Sequence, residues 1–136
     1  MIRLNLGCAS RLLEGYINVD MDSVEDIKKR YPNIEIKDDL DFMQTNVLTL
    51  PFTDGAVDEI RCDALIEHFS FKEESKFFYE AKRVLKIGGL LRFCVPDFED
   101  CVKKWLAAED DWKDFFRDDD EAIEQQRWFG NYSYST

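Results

Sequence analysis

Histidine is almost absent from this 136-residue sequence, with His68 the single example. The four cysteines, Cys8, Cys62, Cys94 and Cys101, show no close paired spacing. These scarcities remove the usual donor sets for a zinc site and leave no disulfide framework. The thiols read instead as reduced, mostly buried residues of a cytoplasmic protein. No apolar run reaches membrane-spanning length, and no N-terminal signal sequence is present. Basic charge is also short, with 18 Lys and Arg against 29 Asp and Glu, for a net charge of −11. A protein of this sign repels a phosphate backbone unless it carries a local basic stripe, so nucleic acid is disfavoured as a partner. The only basic clusters, Lys28-Lys29-Arg30 and Lys82/Arg83/Lys86, fall near expected helix C-termini, where cations offset the helix dipole.

What is present is enough apolar material for a core, 45% of residues, in a length that fits one domain spanning residues 1–136. Ile2 to Leu6 reads as a short strand running into the loop Gly7-Cys8-Ala9-Ser10, and Tyr16 to Val19 as a second strand ending at Asp20. About nine residues separate them. Parallel crossovers usually take a dozen or more residues, so at most one turn is expected around Arg11 to Leu13. A helix follows from Ser23 to Tyr31, with Asp22 as its cap, an apolar stripe of Val24, Ile27 and Tyr31, and Pro32 as its stop. A third strand is expected near Phe42 to Asn46 and a fourth from Val57 to Cys62, separated by the turn-forming Leu50-Pro51-Phe52-Thr53-Asp54-Gly55.

Ser70-Phe71-Lys72-Glu73 has the spacing of a capping box. It opens a helix with Phe77, Phe78, Ala81, Val84 and Leu85 on one face, which Gly88-Gly89 is expected to end. Leu90 to Val95 makes a fifth strand closed by Pro96. Asp97 caps a further helix, with Phe98, Cys101, Val102, Trp105 and Leu106 facing inward. The acid-rich stretch from Glu109 to Glu124 reads as one or two surface helices. Strands alternating with helices predict an α/β, Rossmann-like, doubly wound and mostly parallel sheet of about five strands, with a shortened first crossover.

Open sheets of this kind bind ligands outside the carboxyl ends of their strands. Gly7 directly follows strand one, where the missing Cβ lets backbone N–H groups approach a ligand. Asp20, with Met21 beside it, ends strand two, where a carboxylate can accept bonds from both hydroxyls of a ribose. Asn46, followed by Val47, ends strand three and can present an amide to an adenine edge. Cys62 and Asp63 end strand four. Each residue also has a plain reading: turn glycine, helix-end aspartate, turn asparagine. Their coincidence at successive strand ends carries the functional one.

The runs Leu4-Asn5-Leu6-Gly7-Cys8-Ala9 and Gly15-Tyr16-Ile17-Asn18-Val19-Asp20 resemble the first motif of class I S-adenosylmethionine (SAM) dependent methyltransferases. Leu50 to Asp58, Leu65-Ile66-Glu67-His68-Phe69, Arg83-Val84-Leu85-Lys86-Ile87-Gly88-Gly89 and Val95-Pro96-Asp97 continue the likeness in order, over about residues 2 to 100. The resemblance implies that Gly7, Cys8 and Ala9 contact the methionine part of SAM. It implies that Asp20 holds the ribose, that Asn46 and Val47 hold the adenine, and that Cys62 and Asp63 flank the sulfonium end. Three departures stand out. Ala9 occupies the place of a second glycine, and Asn46 that of an acidic residue. The family's two strands after the fifth have no strong counterpart before Thr136, so the chain is expected to be either a minimal version or a fragment.

Methyl transfer from SAM asks a protein chiefly for proximity and orientation. If the acceptor is an O–H or N–H group a base can assist, and His68 and Asp97 are the candidates, each with a structural alternative as turn or cap residue. Tyr132 and Tyr134 in the aromatic tail either fold over a substrate or stay disordered. The acidic surface favours a small or basic acceptor. A non-catalytic SAM-binding or interaction module is the second reading, since a shortened sheet exposes strand five as an edge able to pair with a second copy in a homodimer. A nicotinamide-dependent dehydrogenase fits worse, because its fingerprint wants glycines where Ala9 and Leu12 stand.

Overall fold

In the computed structural model of the chain, residues 1–107 are described. They fall into two compact units, one of Met1–Val95 and one beginning at Pro96. The first unit holds a five-stranded sheet in the order β3-β2-β1-β4-β5, with every neighbouring pair parallel. The strands are β1 (Arg3–Leu6), β2 (Ile17–Asp20), β3 (Phe42–Gln44), β4 (Val57–Asp63) and β5 (Leu85–Cys94). α1 (Val24–Arg30) connects β2 to β3, and a 3₁₀ turn (Ile66–His68) followed by α2 (Phe71–Val84) connects β4 to β5. The strand order reverses beside β1, the switch point at which open α/β sheets form a crevice.

Register sorts the side chains. Leu4 lies beside Ile17 and Ile60, Leu6 beside Val19, and Cys62 beside Phe93, so these residues share one face. On that face Leu4, Leu6, Val19, Ile60 and Cys62 form the core with Phe77, Ala81 and Val84 of α2 and with Val47, Leu50 and Val57. The Phe77 ring is fully buried and lies 5.4 Å from Phe69 and 5.5 Å from Phe78, centroid to centroid. The other face carries Arg3, Asn5, Asn18, Glu59, Arg61 and Asp63. No helix joins β1 to β2, in line with the short spacing in the sequence.

α2 starts as the sequence predicts: the Ser70 hydroxyl accepts from the Glu73 N–H, and the Glu73 carboxylate accepts from the Ser70 N–H. Its end differs. Helix geometry stops at Val84, and Leu85 is already extended and paired with Val57. Gly88-Gly89 lie inside β5, within the irregularity between the Val57–Leu85 and Glu59–Leu90 pairs. Gly88 has φ +80 there, which a glycine adopts freely. Sheet pairing to β4 claims the chain before the glycines are reached. The last-turn carbonyl of Arg83 is taken by the Gly55 N–H at 2.9 Å.

Arg83 does more than offset a dipole. It grips both oxygens of the buried Glu80, the Asp54 carboxylate and the carbonyls of Leu50 and Phe52, which shapes the loop before β4. The Glu80 carboxylate also accepts from the Leu50 N–H, and the Arg83 hydrogen bonds hold its carboxyl below the ordinary value.

α1 is capped by Ser23, whose hydroxyl accepts from the Asp26 N–H, in place of the expected Asp22. Ile27 is its buried residue. In the second unit, α3 (Phe98–Ala107) begins as expected, with the Asp97 carboxylate accepting from the Asp100 N–H at 3.2 Å. Phe98, expected to face inward, is exposed. The side chains of Cys101, Trp105 and Leu106, the acid-rich stretch and Tyr132 and Tyr134 lie outside the described residues. Among the described residues no helix is long and apolar enough to cross a membrane.

Candidate functional site

The site is built at the carboxyl ends of β1, β2 and β4. Gly7 and Cys8 both donate their N–H groups to the Val19 carbonyl, at 2.8 and 3.2 Å, which folds the loop back over β2. Gly7 has φ +64, and a Cβ on it would meet Leu65 Cδ1 at 2.7 Å. The backbone conformation therefore wants glycine, whereas the Leu65 methyl is the end of a flexible side chain that can move aside. Ala9, at the place of the family's second glycine, also has positive φ, at 40°. Its side chain is carried in the left-handed region, at a cost a glycine avoids.

Asp20 organises this loop. One carboxylate oxygen accepts from the Ala9 N–H at 2.9 Å and the other from the Asp22 N–H at 3.0 Å. Each oxygen keeps further acceptor capacity, and the side chain is half-buried. Met21 is exposed, and its carbonyl accepts from the Gln44 amide at 3.0 Å. Cys8 is buried beside Asp20, and desolvation together with that carboxylate pushes its thiol up to about 12.

β3 stops at Gln44, so Asn46 stands two residues beyond the strand, in a turn. Its side-chain oxygen accepts from the Leu48 N–H at 2.8 Å, which leaves the amide nitrogen as the group it offers outward. Val47 points into the core, so only its backbone is available to a ligand. Cys62, expected beside the ligand, also sends its side chain into the core, and burial pushes its thiol up to about 12. β4 alternates faces, and Cys62 falls on the covered one.

Asp63, on the opposite face, borders an open cavity of about 210 Å³ lined by Asn5, Gly7, Cys8, Arg11, Leu13, Arg61 and Asp63. Arg61 donates to one oxygen of Asp63 through Nε (2.9 Å) and a terminal nitrogen (2.7 Å). His68 ends the 3₁₀ turn after β4 and is exposed. Asp97 belongs to the second unit. The structure thus brings Gly7, Cys8, Ala9 and Asp20 into one hydrogen-bonded cluster, with Asp63 lining the same cavity as Gly7 and Cys8. Asn46 and Val47 form a separate turn.

Sequence reasoning missed Asn5 and Asn18. The Asn5 amide donates to the Arg11 carbonyl (2.7 Å) and to the Asn18 side-chain oxygen (2.8 Å). Asn18 accepts a further bond from the Leu13 N–H and donates to the carbonyls of Leu13, Tyr16 and Asp41. Both are almost fully buried. Their signal was available in Leu4-Asn5-Leu6 and Ile17-Asn18-Val19, where an uncharged polar residue interrupts two neighbouring apolar strands. Arg11 and Arg61 carried no comparable signal. Among the described residues no cluster of metal-ligating side chains occurs.

A parallel sheet in this order, with a glycine turn after β1 and an acidic residue closing β2, defines a Rossmann-like nucleotide-cofactor fold. Residues 5–93 match the model of the family described as "Methyltransferase domain", and the chain belongs to that family. Among solved structures, a protein of Pyrococcus horikoshii OT3 superposes with a TM-score of 0.57 at 23% identity, over 79% of this chain and 55% of that one. Phosphoethanolamine N-methyltransferase 1 of Haemonchus contortus, in complex with phosphoethanolamine and S-adenosylhomocysteine, gives 0.50 at 16% identity, over 70% of this chain and 22% of that one. A DhpI–SAM–HEP complex gives 0.51 at 16% identity, over 80% and 53%. The chain spans about half the length of the first and last of these, and these likenesses establish the fold. No curated protein matches the chain significantly.

SAM is the cofactor that a methyltransferase domain implies, and two of these neighbours hold it or its demethylated product. The residues present fit such a group. Gly7 lines the open cavity at the end of β1, and Asp20 holds a pre-aimed carboxylate with acceptor capacity to spare.

Proposed function

We propose that residues 1–136 form a single SAM-binding core domain that transfers a methyl group to a small-molecule acceptor. In this reading Gly7, Cys8 and Ala9 contact the methionine part of the cofactor through their backbone. Asp20, with Met21 beside it, holds the ribose hydroxyls. The Asn46 amide and the Val47 backbone meet the adenine, and Asp63, with the backbone of Cys62, flanks the sulfonium end. The observation that carries the reading is the Asp20 carboxylate, fixed at both oxygens by backbone N–H groups at the end of β2 beside a glycine loop.

When bound, SAM supplies an already activated methyl group, so the protein's part is orientation, for which roughly 7–11 kcal/mol is available in favourable cases. The exposed His68 is the better-placed candidate base for an acceptor proton, because the Asp97 carboxylate is already engaged in capping α3. The net negative charge favours a small or basic acceptor, and reduced thiols suit a cytoplasmic setting.

Calorimetric titration with SAM and S-adenosylhomocysteine tests this. Micromolar binding is expected, weakened at least tenfold by Asp20→Ala; a folded wild-type chain that binds neither would overturn the cofactor reading.

A second reading, a SAM-binding module without transferase activity, is favoured by Ala9 in the left-handed region and by the exposed Leu90 and Phe93 on β5, the edge of the five-stranded sheet. That edge suits pairing with a second copy. A monomer at micromolar concentration in light scattering, together with methyl transfer to any acceptor, sinks it.

A further inference from the structure

α2 buries Phe77, Glu80, Ala81 and Val84 along one side. At 3.6 residues per turn the opposite arc carries Phe71, Lys72, Ser75, Tyr79 and Lys82, with Lys76 at its margin. Phe71 and Tyr79 are 83% and 75% exposed, and all three lysines are exposed. The glutamates of α2 fall outside this arc. In a chain with far more acid than base, none of Lys72, Lys76 and Lys82 donates to a carboxylate among the described residues.

The helix gains little from two of these lysines. Lys72 sits in the first turn, where the helix dipole opposes a cation, and Lys76 follows it at the four-residue spacing that sets like charges together. Lys76 has Glu73 nearby, but that carboxylate is engaged by the Ser70 cap. Exposed rings interleaved with cations over about 17 Å of helix complement a chain that is both acidic and apolar. A second copy offering the same face would set lysine against lysine, as a two-fold contact requires. A bilayer or a duplex is an extended anionic surface, which would also meet the rest of a chain of net charge −11. A short acidic segment lies along one helix, and charges more than about 8 Å away are largely screened from it at physiological salt.

We propose that the solvent face of α2 is a docking surface for an acidic segment of a partner protein, its carboxylates meeting Lys72, Lys76 and Lys82 and its apolar side chains covering Phe71 and Tyr79. The docking needs no cofactor and stands apart from the SAM reading.

Fluorescence anisotropy with a short labelled peptide that repeats Glu-Leu-Asp-Glu-Phe, and with its neutral counterpart that repeats Gln-Leu-Asn-Gln-Phe, tests this at physiological salt. The acidic peptide should bind saturably and at least tenfold more tightly than the neutral one. The triple variant Lys72→Gln, Lys76→Gln, Lys82→Gln should weaken it at least tenfold, and the double variant Phe71→Ser, Tyr79→Ser at least fivefold. The triple variant Lys28→Gln, Lys29→Gln, Arg30→Gln on α1 changes net charge equally and should alter binding less than twofold. Every substituted side chain is exposed, so thermal midpoints should stay near the wild-type value. Absence of saturable binding overturns the proposal, as does equal loss from the α1 variant, which would mean that only net charge is read. Loss confined to the lysine variant also overturns it, because the rings would then have no part. Tighter binding to phosphatidylserine vesicles or to an oligonucleotide, abolished by the α2 lysine variant, assigns the face to lipid or nucleic acid instead. A dimer in light scattering that the same variant dissolves assigns it to a second copy.

Discussion

On one face of the sheet Leu4, Leu6, Val19, Ile60 and Cys62 are closed over by α2 and the segments around it. On the other, Asn5, Asn18, Glu59, Arg61 and Asp63 stand where parallel sheets usually carry apolar side chains beneath a second helical layer. The β1–β2 connection supplies no helix to that layer, and polar bonds do the organising instead. The Tyr16 hydroxyl donates to Glu59 at 3.0 Å, Arg92 pairs with Glu59 at 3.2 Å, and the Arg3 guanidinium lies over the Tyr16 ring at 4.8 Å. Asn18 replaces the helix most directly, since its amide satisfies backbone groups at Leu13, Tyr16 and Asp41 that water would otherwise have to reach. The comparison teaches that a short crossover can be held by one buried amide.

Breaking each face should therefore give a different result. The largest effect is expected from Phe77→Ala, which empties the centre of the apolar side and should cost about 3–5 kcal/mol in urea denaturation. The molecules that remain folded should bind S-adenosylhomocysteine as wild type does. Asn18→Ala should cost roughly 2–3 kcal/mol, because it strands the Leu13 N–H and the Asn5 amide. Unlike the Phe77 change, it should also weaken S-adenosylhomocysteine binding, since the loop carrying Arg11 loses its anchor. If both variants change stability alone, the polar face has no special tie to the site.

The smallest effect is chemical. Cys94 is exposed, whereas Cys62 is buried on the apolar face and Cys8 beneath the loop. Burial pushes both hidden thiols up from 9.0 to about 12, so both are protonated at pH 8. Thiol alkylation at that pH should modify Cys94 and spare Cys8 and Cys62 until the chain unfolds. An unfolded thiol ionises near 9, so the stability contributed by the protonated buried pair is complete below that pH and lost as pH rises toward 12. Denaturation midpoints should fall over that interval.

Much of this was legible beforehand because it is local. The capping box at Ser70 and Glu73 depends on four consecutive residues, and the Leu6-Gly7 and Val19-Asp20 junctions lie within single strand–loop transitions. Elsewhere a local signal lost to a distant one. Gly88-Gly89 looked like a helix stop, but pairing of Leu85 with Val57 ended the helix earlier. Cys62 looked like a site residue by position, and strand parity sent it into the core. Asn46 stands beyond its strand because β3 is only three residues long.

By itself the sequence determined the alternation of elements, the Ser70 and Asp97 caps, the glycine turn after β1 and the family, since each depends on residues near one another in the chain. Tertiary structure alone decided which face of each strand is covered, how Asn5 and Asn18 meet across 13 positions, and how Arg11 and Asp63 come to line one cavity. The reason is physical: a side chain's face follows from strand register, and register is settled only when β1, β2 and β4 pair and α2 buries one side of them.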